Sequence, residues 1–548
     1  MLLGAAHLAP LFPSPAERGR DREGALAMRR LALPLAWAAL TIAVAWTTAP
    51  AVGFSRDEGI YFVAAESYAS WWRGALAHPS GALGRIDARY AVNHEHPALA
   101  KGLFGLTHAV LTDGLGVASH AQGFRAGAFL FGALLSFLLA RAGGELAGWP
   151  GALLAPALFW CAPRHFYHLH PAVFDLAIAA LWFAVVEAYR WSLRGGWRRA
   201  LVPALAFGAA LGVKHNAWFL PPLLLAHWVA LRLLDRERAP PFPRAIPLMV
   251  LLGPAVFVLT WPWLWHDTLA RAQAYLAFHL HHENYAWLYF GTLLREPPFP
   301  VAYPFVVTAL TVPGAVLATY VGGLAQAAWR AARGAGDCSL ELLLALNALF
   351  PMALIAWPTV PHFGGVKHWL PAMPFLALLG ARALAEAGRA LAPRRAALAT
   401  LSLAALALAP AAWSVARQHP FGTASYGDLA GGPPGAASLG LQRQFWGDDV
   451  RAVLPAVNAH AAPGARIWWQ EATSLDVRAY RREGLLRPDL REAEGPEDAD
   501  LSLWQHHREF MDKQFRTWTE LGTRRPVAGA WLEEVPLVEV YAREGAWR

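Results

Sequence analysis

The sequence predicts a mainly α-helical, polytopic membrane protein of about 11 transmembrane helices, followed by a small C-terminal α/β domain. Three observations lead to this fold class. Of the 548 residues, 56% are hydrophobic and only 16% are charged, whereas soluble globular chains have about 25% charged residues. The apolar residues form blocks of about 20 residues, the length that a helix needs to cross a bilayer core. Arginines cluster in the short segments between these blocks, as in membrane proteins oriented by the positive-inside rule.

Each apolar block is predicted to be one membrane span. The first block, 31–50, is longer than the apolar region of a signal peptide, which has about 7–15 residues, so we expect it to be retained as a helix. The predicted spans are 31–50, 122–140, 150–163, 171–189, 200–214, 217–234, 245–264, 301–323, 339–357, 368–387 and 396–415.

The basic loops predict the orientation of these spans in the inner (plasma) membrane. Arginines fall in every second connection, at 141, 190–199, 232–244, 330–333 and 389–395. Because cytoplasmic loops carry the excess of arginine and lysine, we expect these connections and the N-terminus to be cytoplasmic. The two long loops, 51–121 and 265–300, and the tail from 417 onward are then periplasmic.

The same pattern explains the net charge of +8 without a nucleic-acid partner, since the positive charge lies in loops and no nucleic-acid-binding motif is present. The two cysteines, Cys161 and Cys338, fall on opposite sides of the predicted membrane. We therefore expect no disulfide, and neither cysteine has metal-ligand spacing.

Three domains follow from these patterns. Residues 1–27 lack hydrophobic periodicity and are predicted to be a disordered cytoplasmic tail. Residues 28–416 form the membrane domain, in which the apolar stretch 98–110 of the first long loop is predicted to be re-entrant or interfacial because a further span would break the charge pattern. Residues 417–548 open with a Gly/Pro-rich linker and form the periplasmic α/β domain. Its predicted strands are 466–470, 501–504 and 537–541, and its predicted helices are 448–460 and 508–521.

The lysines are few and unevenly placed. Lys101, Lys214 and Lys367 lie at the predicted outer ends of apolar segments, and the fourth lysine, Lys513, lies in the tail. Three lysines at one membrane face, in a chain that otherwise uses arginine, predict a site for an anion. The alternative is snorkelling, in which each ammonium reaches the lipid headgroups.

The first long loop supplies carboxylates on the same side. Arg56, Asp57 and Glu58 follow the first span, and the segment 93–101 contains His94, Glu95, His96 and Lys101. A group transfer to a hydroxyl uses a carboxylate to accept a proton and cations to stabilise the departing phosphate. The alternative for these acids is a solvated loop cap.

Several short motifs occur in order along the chain. Asp57-Glu58 follows the first span, His96-Pro97-x-Leu99-x-Lys101 ends the first loop, and Gly212-Val213-Lys214-His215 precedes a later span. Pro163-Arg164, followed by Asp175, and the segment Lys367-His368-Trp369-Leu370-Pro371 complete the set. Together they resemble the protein O-mannosyltransferase group (glycosyltransferase family 39-like) of the GT-C superfamily, which includes aminoarabinose transferases acting on lipid A. The resemblance covers about residues 30–415, and Ala98 stands where the family usually has a second proline.

The resemblance implies a function and a set of site residues. It implies an inverting transfer of a glycosyl group from a polyprenyl-phosphate sugar to a periplasmic protein, lipid A or envelope glycan. Asp57 would be the base and Glu58 its support. We expect Lys101, Lys214 and Lys367 to hold the phosphate of the donor. The further candidate substrate-binding residues are Arg56, His94, Glu95, His96, Arg164, His215, His282, Tyr285 and His368.

The histidines allow a second type of site. They cluster at 165–170 and at 279–282, next to Glu283 and Tyr285. Imidazole binds zinc and related ions, so a divalent metal is possible, but no set has a known tetrahedral spacing and we expect no metal cofactor. We expect His282 and Tyr285 to bind phosphate or sugar hydroxyls; the alternative is an interfacial aromatic belt.

Two other functions are compatible with parts of the pattern. A transporter or flippase would place charges at the membrane midplane on broken, repeated helices, whereas here they gather at one face. A non-catalytic protein that binds prenyl-phosphate lipids would keep the cations, but it would not need the carboxylate of Asp57.

Overall fold

The computed structural model describes residues 15–234, 239–333, 337–507 and 511–548, with side chains from residue 31 onward. The chain is a mainly helical, multi-pass membrane protein with a small mixed-sheet domain at its C-terminus. The first helix begins at Pro15. The described part of segment 1–27 is therefore helical, contrary to the predicted disorder, and residues 1–14 lie outside the described residues, as do 235–238 of one predicted basic loop.

Sixteen helices precede the tail in the described part of the chain. They are α1 (Pro15–Thr48), α2 (Glu58–Ala77), α3 (Ile86–Tyr90), α4 (Leu99–His108), α5 (His120–Trp160), α6 (Pro163–Tyr167), α7 (Phe174–Ser192), α8 (Trp197–Leu211), α9 (Leu220–Leu234), α10 (Ala245–Leu259), α11 (Thr268–Leu280), α12 (Tyr303–Thr311), α13 (Gly314–Arg333), α14 (Cys338–Ile355), α15 (Met373–Leu391) and α16 (Ala396–Gln418).

The number of spans differs from the prediction. Six helical segments among the described residues have the length and composition of a membrane span, and α10 is apolar but shorter. The predicted number of about 11 spans exceeds the number of segments that meet this criterion. Within α5, Ala147 and Gly148 have non-helical backbone angles, and a Cβ atom at Gly143 would lie 2.3 Å from the Gly151 carbonyl oxygen. This range therefore contains two helices that fold back on each other, and they correspond to the predicted spans 122–140 and 150–163. The predicted span 301–323 is divided between α12 and α13 at Pro313. The six segments are Leu31–Ala51, His120–Trp160, His215–Leu234, Cys338–Ile355, Leu370–Leu391 and Pro393–Gln418.

The centre of the membrane domain is formed by α5, α7 and α15. Helix α5 packs against α1, α7 and α15, and α15 also packs against α13 and α16. Nearly every side chain of α7 and of the first half of α15 is buried. A helix that is apolar all round belongs in the centre of a bundle. Helices α7 and α15 begin close to Asp175 and Lys367, respectively, which belong to the candidate site.

The two long loops are ordered. The first contains α2, α3 and α4, and α4 packs against α2 and α5. The segment 98–110, predicted to be re-entrant or interfacial, consists of the ten-residue α4 and a π-helical turn, Ala109–Gly114. A helix of this length rises only about 15 Å, too little to cross a bilayer core. The second loop contains α11 and a hairpin of β1 (Trp287–Tyr289) and β2 (Thr292–Leu294).

The tail forms a five-stranded mixed sheet with the strand order β4-β3-β5-β7-β6. Strand β3 is parallel to β4 and β5, whereas β5, β7 and β6 pair in antiparallel fashion. The strands are β3 (Arg466–Trp469), β4 (Arg491–Glu492), β5 (Leu501–Gln505), β6 (Ala528–Leu532) and β7 (Val535–Ala542). The helices are α17 (Gly432–Ser438), α18 (Leu454–His460), α19 (Ser474–Arg482) and α20 (Met511–Leu521).

Most predicted tail elements correspond to observed ones, with local differences. The predicted helix 448–460 begins with a 3₁₀ turn, Asp448–Val453, before α18. The predicted Gly/Pro-rich linker contains α17. Strands β4 and β6 were not predicted, because their residues do not form an alternating apolar run. Residues 508–510 of the predicted helix 508–521 lie outside the described ranges.

The tail and the membrane domain share one continuous core. The ring of Phe54, in the first long loop, lies 4.6 Å from that of Tyr480 in α19. Tyr480 is fully buried there. The tail is therefore packed directly on the segment that contains Asp57.

Candidate active site

Asp57 is the residue that precedes α2. Its side chain is exposed and does not cap the helix. Neither a hydrogen bond nor an ion pair to its carboxylate is found among the described residues. Asp and Glu at helix starts usually accept backbone hydrogen bonds, so this carboxylate is available for another partner.

Glu58 has the opposite environment. It is fully buried, and its carboxylate receives Arg125 Nε at 2.6 Å and Arg125 Nη2 at 2.8 Å. The backbone N–H groups of Ala172 and Ser55 also donate to it. The remaining guanidinium hydrogen bonds go to the carbonyl groups of Ala49, Val52 and Gly53. Glu58 is thus a buried anchor beside Asp57, and the supporting role that the resemblance implies for it stays a prediction.

The tail holds the backbone on both sides of Asp57. Phe54 N–H donates to Tyr480 Oη at 2.8 Å, and Gly59 N–H donates to Asp476 Oδ1 at 3.1 Å. Arg56 N–H donates to the carbonyl oxygen of Trp446 at 2.9 Å. A Cβ atom at Gly59 would lie 2.6 Å from Asp476 Oδ1, so only glycine allows this approach.

The side chain of Arg56 is half exposed and lies 3.8 Å from Glu471 of the tail, measured from Nη1 to Oε2. The structure therefore gives Arg56 a partner in the tail. Because Arg56 is the residue before Asp57, it lies at the edge of the candidate site.

A second acid–base pair lies at the start of α7. Lys214 Nζ donates to Asp175 Oδ1 at 2.7 Å, and both side chains are largely buried. Asp175 is in the first turn of α7, and Lys214 follows the end of α8. The pair joins two helices that pack against each other. Lys214 is one of the three lysines predicted to bind an anion, and in the structure the carboxylate of Asp175 offsets part of its charge.

Lys367 lies close to the carboxylates of Asp175 and Asp57. Its ammonium is 4.9 Å from the ring centroid of Phe363 and 5.0 Å from that of Trp446. Within the described part of the chain no oxygen accepts a hydrogen bond from it. Burial lowers the pKa of Lys367, and the negative charges of Asp175 and Asp57 oppose this effect. Lys367 is thus a partly buried cation that faces two acids and aromatic rings.

Lys101 has a structural role that the sequence did not predict. It is fully buried, and Nζ donates to Asn93 O at 2.6 Å, to Asn93 Oδ1 at 2.9 Å and to His96 O at 3.0 Å. An ammonium has three donors, and all three are used. Burial lowers the pKa of Lys101 to about 7. In the structure Lys101 therefore holds the turn at 93–96, and its predicted binding of an anion stays a prediction.

The neighbours of Lys101 in that turn have different surroundings. His94 is exposed, with its ring 4.7 Å from that of Trp263, and Glu95 accepts a hydrogen bond from Asn93 Nδ2 at 2.6 Å. The His96 ring lies 6.4 Å from Tyr61 and 5.8 Å from His279. Burial lowers the pKa of His96 well below its ordinary value. Of these three side chains, only His96 contacts His279, which in turn lies against His215.

An aromatic wall surrounds Phe363. The ring of His282 stacks on it at 5.1 Å, Tyr285 lies 5.2 Å away, and His368 Nε2 is hydrogen-bonded to the Phe363 carbonyl. The ring of His215 is 4.0 Å from that of His279 in α11. His282, Tyr285 and His368 thus lie together around Phe363, whose ring contacts Lys367, and His215 lies against His279. Across the described ranges, no group of three or more His, Cys, Asp or Glu side chains is arranged to hold a metal ion.

Arg164 supports the turn that carries Lys367. It is buried, its Nε donates to Ser425 O at 2.9 Å, and its guanidinium lies 4.6 Å from the ring of Tyr426 and 5.3 Å from that of Phe445. A Cβ atom at Gly365 would lie 3.0 Å from its Nη1. Arg164 therefore fixes the 364–367 turn against the start of the tail.

The sequence did not identify several residues around the site. Arg125, Trp446, Asp476 and Tyr480 all contact the segment 53–59. Arg125 had one signal, because an arginine inside a long apolar helix is expensive unless it has a buried partner. The three tail residues had none, since their contacts with this segment depend on the tertiary fold.

No protein-family model matches the sequence, and no curated protein matches it. The chain is similar in fold to solved structures. For ArnT from Cupriavidus metallidurans bound to undecaprenyl phosphate, the identity is 13% and the TM-score 0.49, over 93% of this chain and 98% of that one. For the oligosaccharyltransferase AglB from Archaeoglobus fulgidus, in complex with an inhibitory peptide and a dolichol-phosphate, the identity is 11% and the TM-score 0.44, over 83% of this chain and 60% of that one. At these identities and TM-scores no activity or substrate of this chain follows from the similarity.

Proposed function

We propose that this protein is a membrane glycosyltransferase that transfers a sugar from a polyprenyl-phosphate donor to a hydroxyl acceptor outside the cytoplasm. The observation that carries the proposal is the pair of Asp57 and Lys367. Trp446 links the two residues: its carbonyl oxygen accepts the N–H of Arg56, next to Asp57, and its ring lies 5.0 Å from Lys367 Nζ. Among the described residues, neither the Asp57 carboxylate nor the Lys367 ammonium has a hydrogen-bond partner. An anionic leaving group and an acceptor hydroxyl would supply the partners that these two side chains lack.

The proposed reaction assigns one task to each side chain. Asp57 accepts the proton of the acceptor hydroxyl as its oxygen bonds to the anomeric carbon. The bond between that carbon and the phosphate oxygen breaks, and its electron pair leaves with the polyprenyl phosphate. Lys367 stabilises the charge that develops on this phosphate. Lys214, held by Asp175, adds positive charge nearby.

The residues at the two ends of α7 and α15 support the proposed orientation of the site toward the periplasm. Helix α7 begins with Asp175 at the site and ends with Arg190, which is paired with Glu187. Helix α15 begins after Lys367 and ends with Arg389. The arginine-rich ends are opposite the site, as expected if the site faces the periplasm.

A comparison of cells with and without the protein tests the function. We expect the polyprenyl-phosphate sugar donor to accumulate when the protein is absent and one sugar to disappear from an envelope glycan or glycoprotein, both measured by mass spectrometry. Unchanged glycans together with a changed distribution of the donor between the membrane leaflets would instead indicate a flippase. Donor binding without any transfer would indicate a non-catalytic lipid-binding protein.

A further inference from the structure

Trp446 is the point at which the tail enters the candidate site. Its carbonyl oxygen accepts the Arg56 N–H at 2.9 Å, next to Asp57. Its ring lies 5.0 Å from Lys367 Nζ and 5.3 Å from the ring of His168. Tyr167 contacts it on another side, with 5.6 Å between ring centroids. Trp446 therefore connects the segment of Asp57, the turn of Lys367 and the connection between α6 and α7.

Three polar groups around this ring lack partners. Trp446 is 8% exposed and His168 is 3% exposed, yet neither Trp446 Nε1 nor His168 Nδ1 has a hydrogen-bond partner among the residues that the structure describes. The same holds for Lys367 Nζ. Buried polar groups in native proteins are nearly always hydrogen-bonded, and unsatisfied ones call for an explanation.

These groups come from distant parts of the chain. His168 follows α6, Lys367 precedes α15, and Trp446 belongs to the tail. The indole N–H and the ammonium can only donate hydrogen bonds. Burial lowers the pKa of His168 to about 3, so its ring is neutral at physiological pH. A ligand that satisfies all three must offer several oxygen acceptors and is best anionic, because Lys367 is the cation among them.

We propose that Trp446 and His168 form, with Lys367, the subsite for the phosphate group of the lipid donor, and that Trp446 Nε1 donates a hydrogen bond to a phosphate oxygen. This inference rests on the proposed function and extends it, because it makes the tail a part of the donor site. The indole face holds the ammonium of Lys367 through a cation–π contact, while the indole edge supplies the additional donor.

Trp446→Phe tests the role of the N–H group separately from that of the ring. Phenylalanine keeps an aromatic face for Lys367 and removes the donor. The matched control is Trp504→Phe. Trp504 is 1% exposed in strand β5, and its Nε1 is also without a partner in the described residues, but it packs in a separate tail cluster with Leu521 and Tyr541.

The measurement is the affinity for undecaprenyl phosphate of the full-length protein in nanodiscs, with undecaprenol as the lipid that lacks the phosphate. We expect Trp446→Phe to weaken binding of undecaprenyl phosphate roughly tenfold, the effect of losing one hydrogen bond to a charged group. Trp504→Phe should leave it unchanged, and binding of undecaprenol should be equal in all three proteins.

Each other outcome is informative. Equal affinity of Trp446→Phe and Trp504→Phe for undecaprenyl phosphate would overturn the subsite while leaving the proposed function intact. A wild-type protein that binds neither lipid would contradict both. If Trp446→Phe does not fold, His168→Phe replaces it, with His165→Phe as its control, because His165 is buried but already hydrogen-bonded to the Phe159 carbonyl at 3.0 Å. His168→Phe should then weaken binding of the phosphate lipid and His165→Phe should not.

Discussion

Glu58 and Arg125 form a bidentate ion pair, with Arg125 Nε and Nη2 at 2.6 and 2.8 Å from the two carboxylate oxygens. Both side chains are buried. The pair fixes the start of α2 to α5, and Asp57 is the residue immediately before it. The exposed position of Asp57 thus depends on the burial of its neighbour.

Glu58→Gln should destabilise the protein. Removing one partner of a buried ion pair leaves the other charge uncompensated, at a cost of about 3–5 kcal/mol. We expect a clear fall in the apparent melting temperature of the purified protein. Glu66→Gln is the control in the same helix, because Glu66 is exposed and its ion-pair partner Arg482, at 3.7 Å, is exposed as well. If Glu58→Gln were as stable as Glu66→Gln but inactive, Glu58 would act in catalysis and not only as an anchor of α2.

Lys367 and Lys101 should respond differently to loss of their charge. Lys367→Met should weaken donor binding by about tenfold or more, since it removes the cation facing the phosphate. Lys367→Arg should retain part of the affinity. Lys101→Met should instead lower the melting temperature, because it abolishes three buried hydrogen bonds at 93–96. The measurements are undecaprenyl phosphate binding and thermal unfolding, and the reverse pattern would contradict both assignments.

Asp476 should make the stability depend on pH. Burial raises the pKa of Asp476 in the folded protein to about 7, from 3.8. The folded state therefore binds this proton more tightly, so the contribution of Asp476 to stability is greatest at low pH and is lost as the pH rises from about 4 to 7. The melting temperature of the wild type relative to Asp476→Asn should fall across this range. A difference that does not vary with pH would exclude the effect.

The orientation can be tested with a reporter that is active only outside the cytoplasm. Fusions after residues 60, 285 and 430 should be active, and fusions after 195 and 333 should be inactive, because the latter follow arginine-rich connections. Activity of the fusion after 195 would reverse the sidedness on which the proposed periplasmic site depends.

The sequence predicts the local features of this protein and misses the long-range ones. Apolar blocks and arginine spacing predict the helices, because both follow from the thickness and the polarity of a bilayer. The turn at Gly148 separates two helices as the apolar blocks predict, whereas the break at Pro313 divides the predicted span 301–323 into two helices that have similar composition.

The candidate site was predicted only in part, because its contacts join residues that are far apart in the sequence. Asp57 and Glu58 are adjacent in the sequence and equally acidic, yet their environments differ because Arg125 lies 67 residues from Glu58. Lys101 and Lys367 both lie at the predicted outer ends of apolar segments. In the structure, however, the ammonium of Lys101 donates to the carbonyl groups of a turn. Tyr480 reaches Phe54 across 426 residues. No local pattern encodes such contacts.

The rate of sugar transfer by the Asp57→Asn variant is the most direct test of the central claim, that Asp57 is the general base. Asparagine keeps the size of the side chain and removes the charge that accepts the proton. We expect the variant to fold and to bind undecaprenyl phosphate like the wild type, while the rate of sugar transfer falls by about 10²–10⁴, as for the loss of a general base. Asp113→Asn is the control, because Asp113 is a half-exposed carboxylate of the same loop, paired with Arg73 at 2.9 Å. Near-normal transfer by Asp57→Asn would contradict the proposed mechanism and the assignment of this loop as the active site.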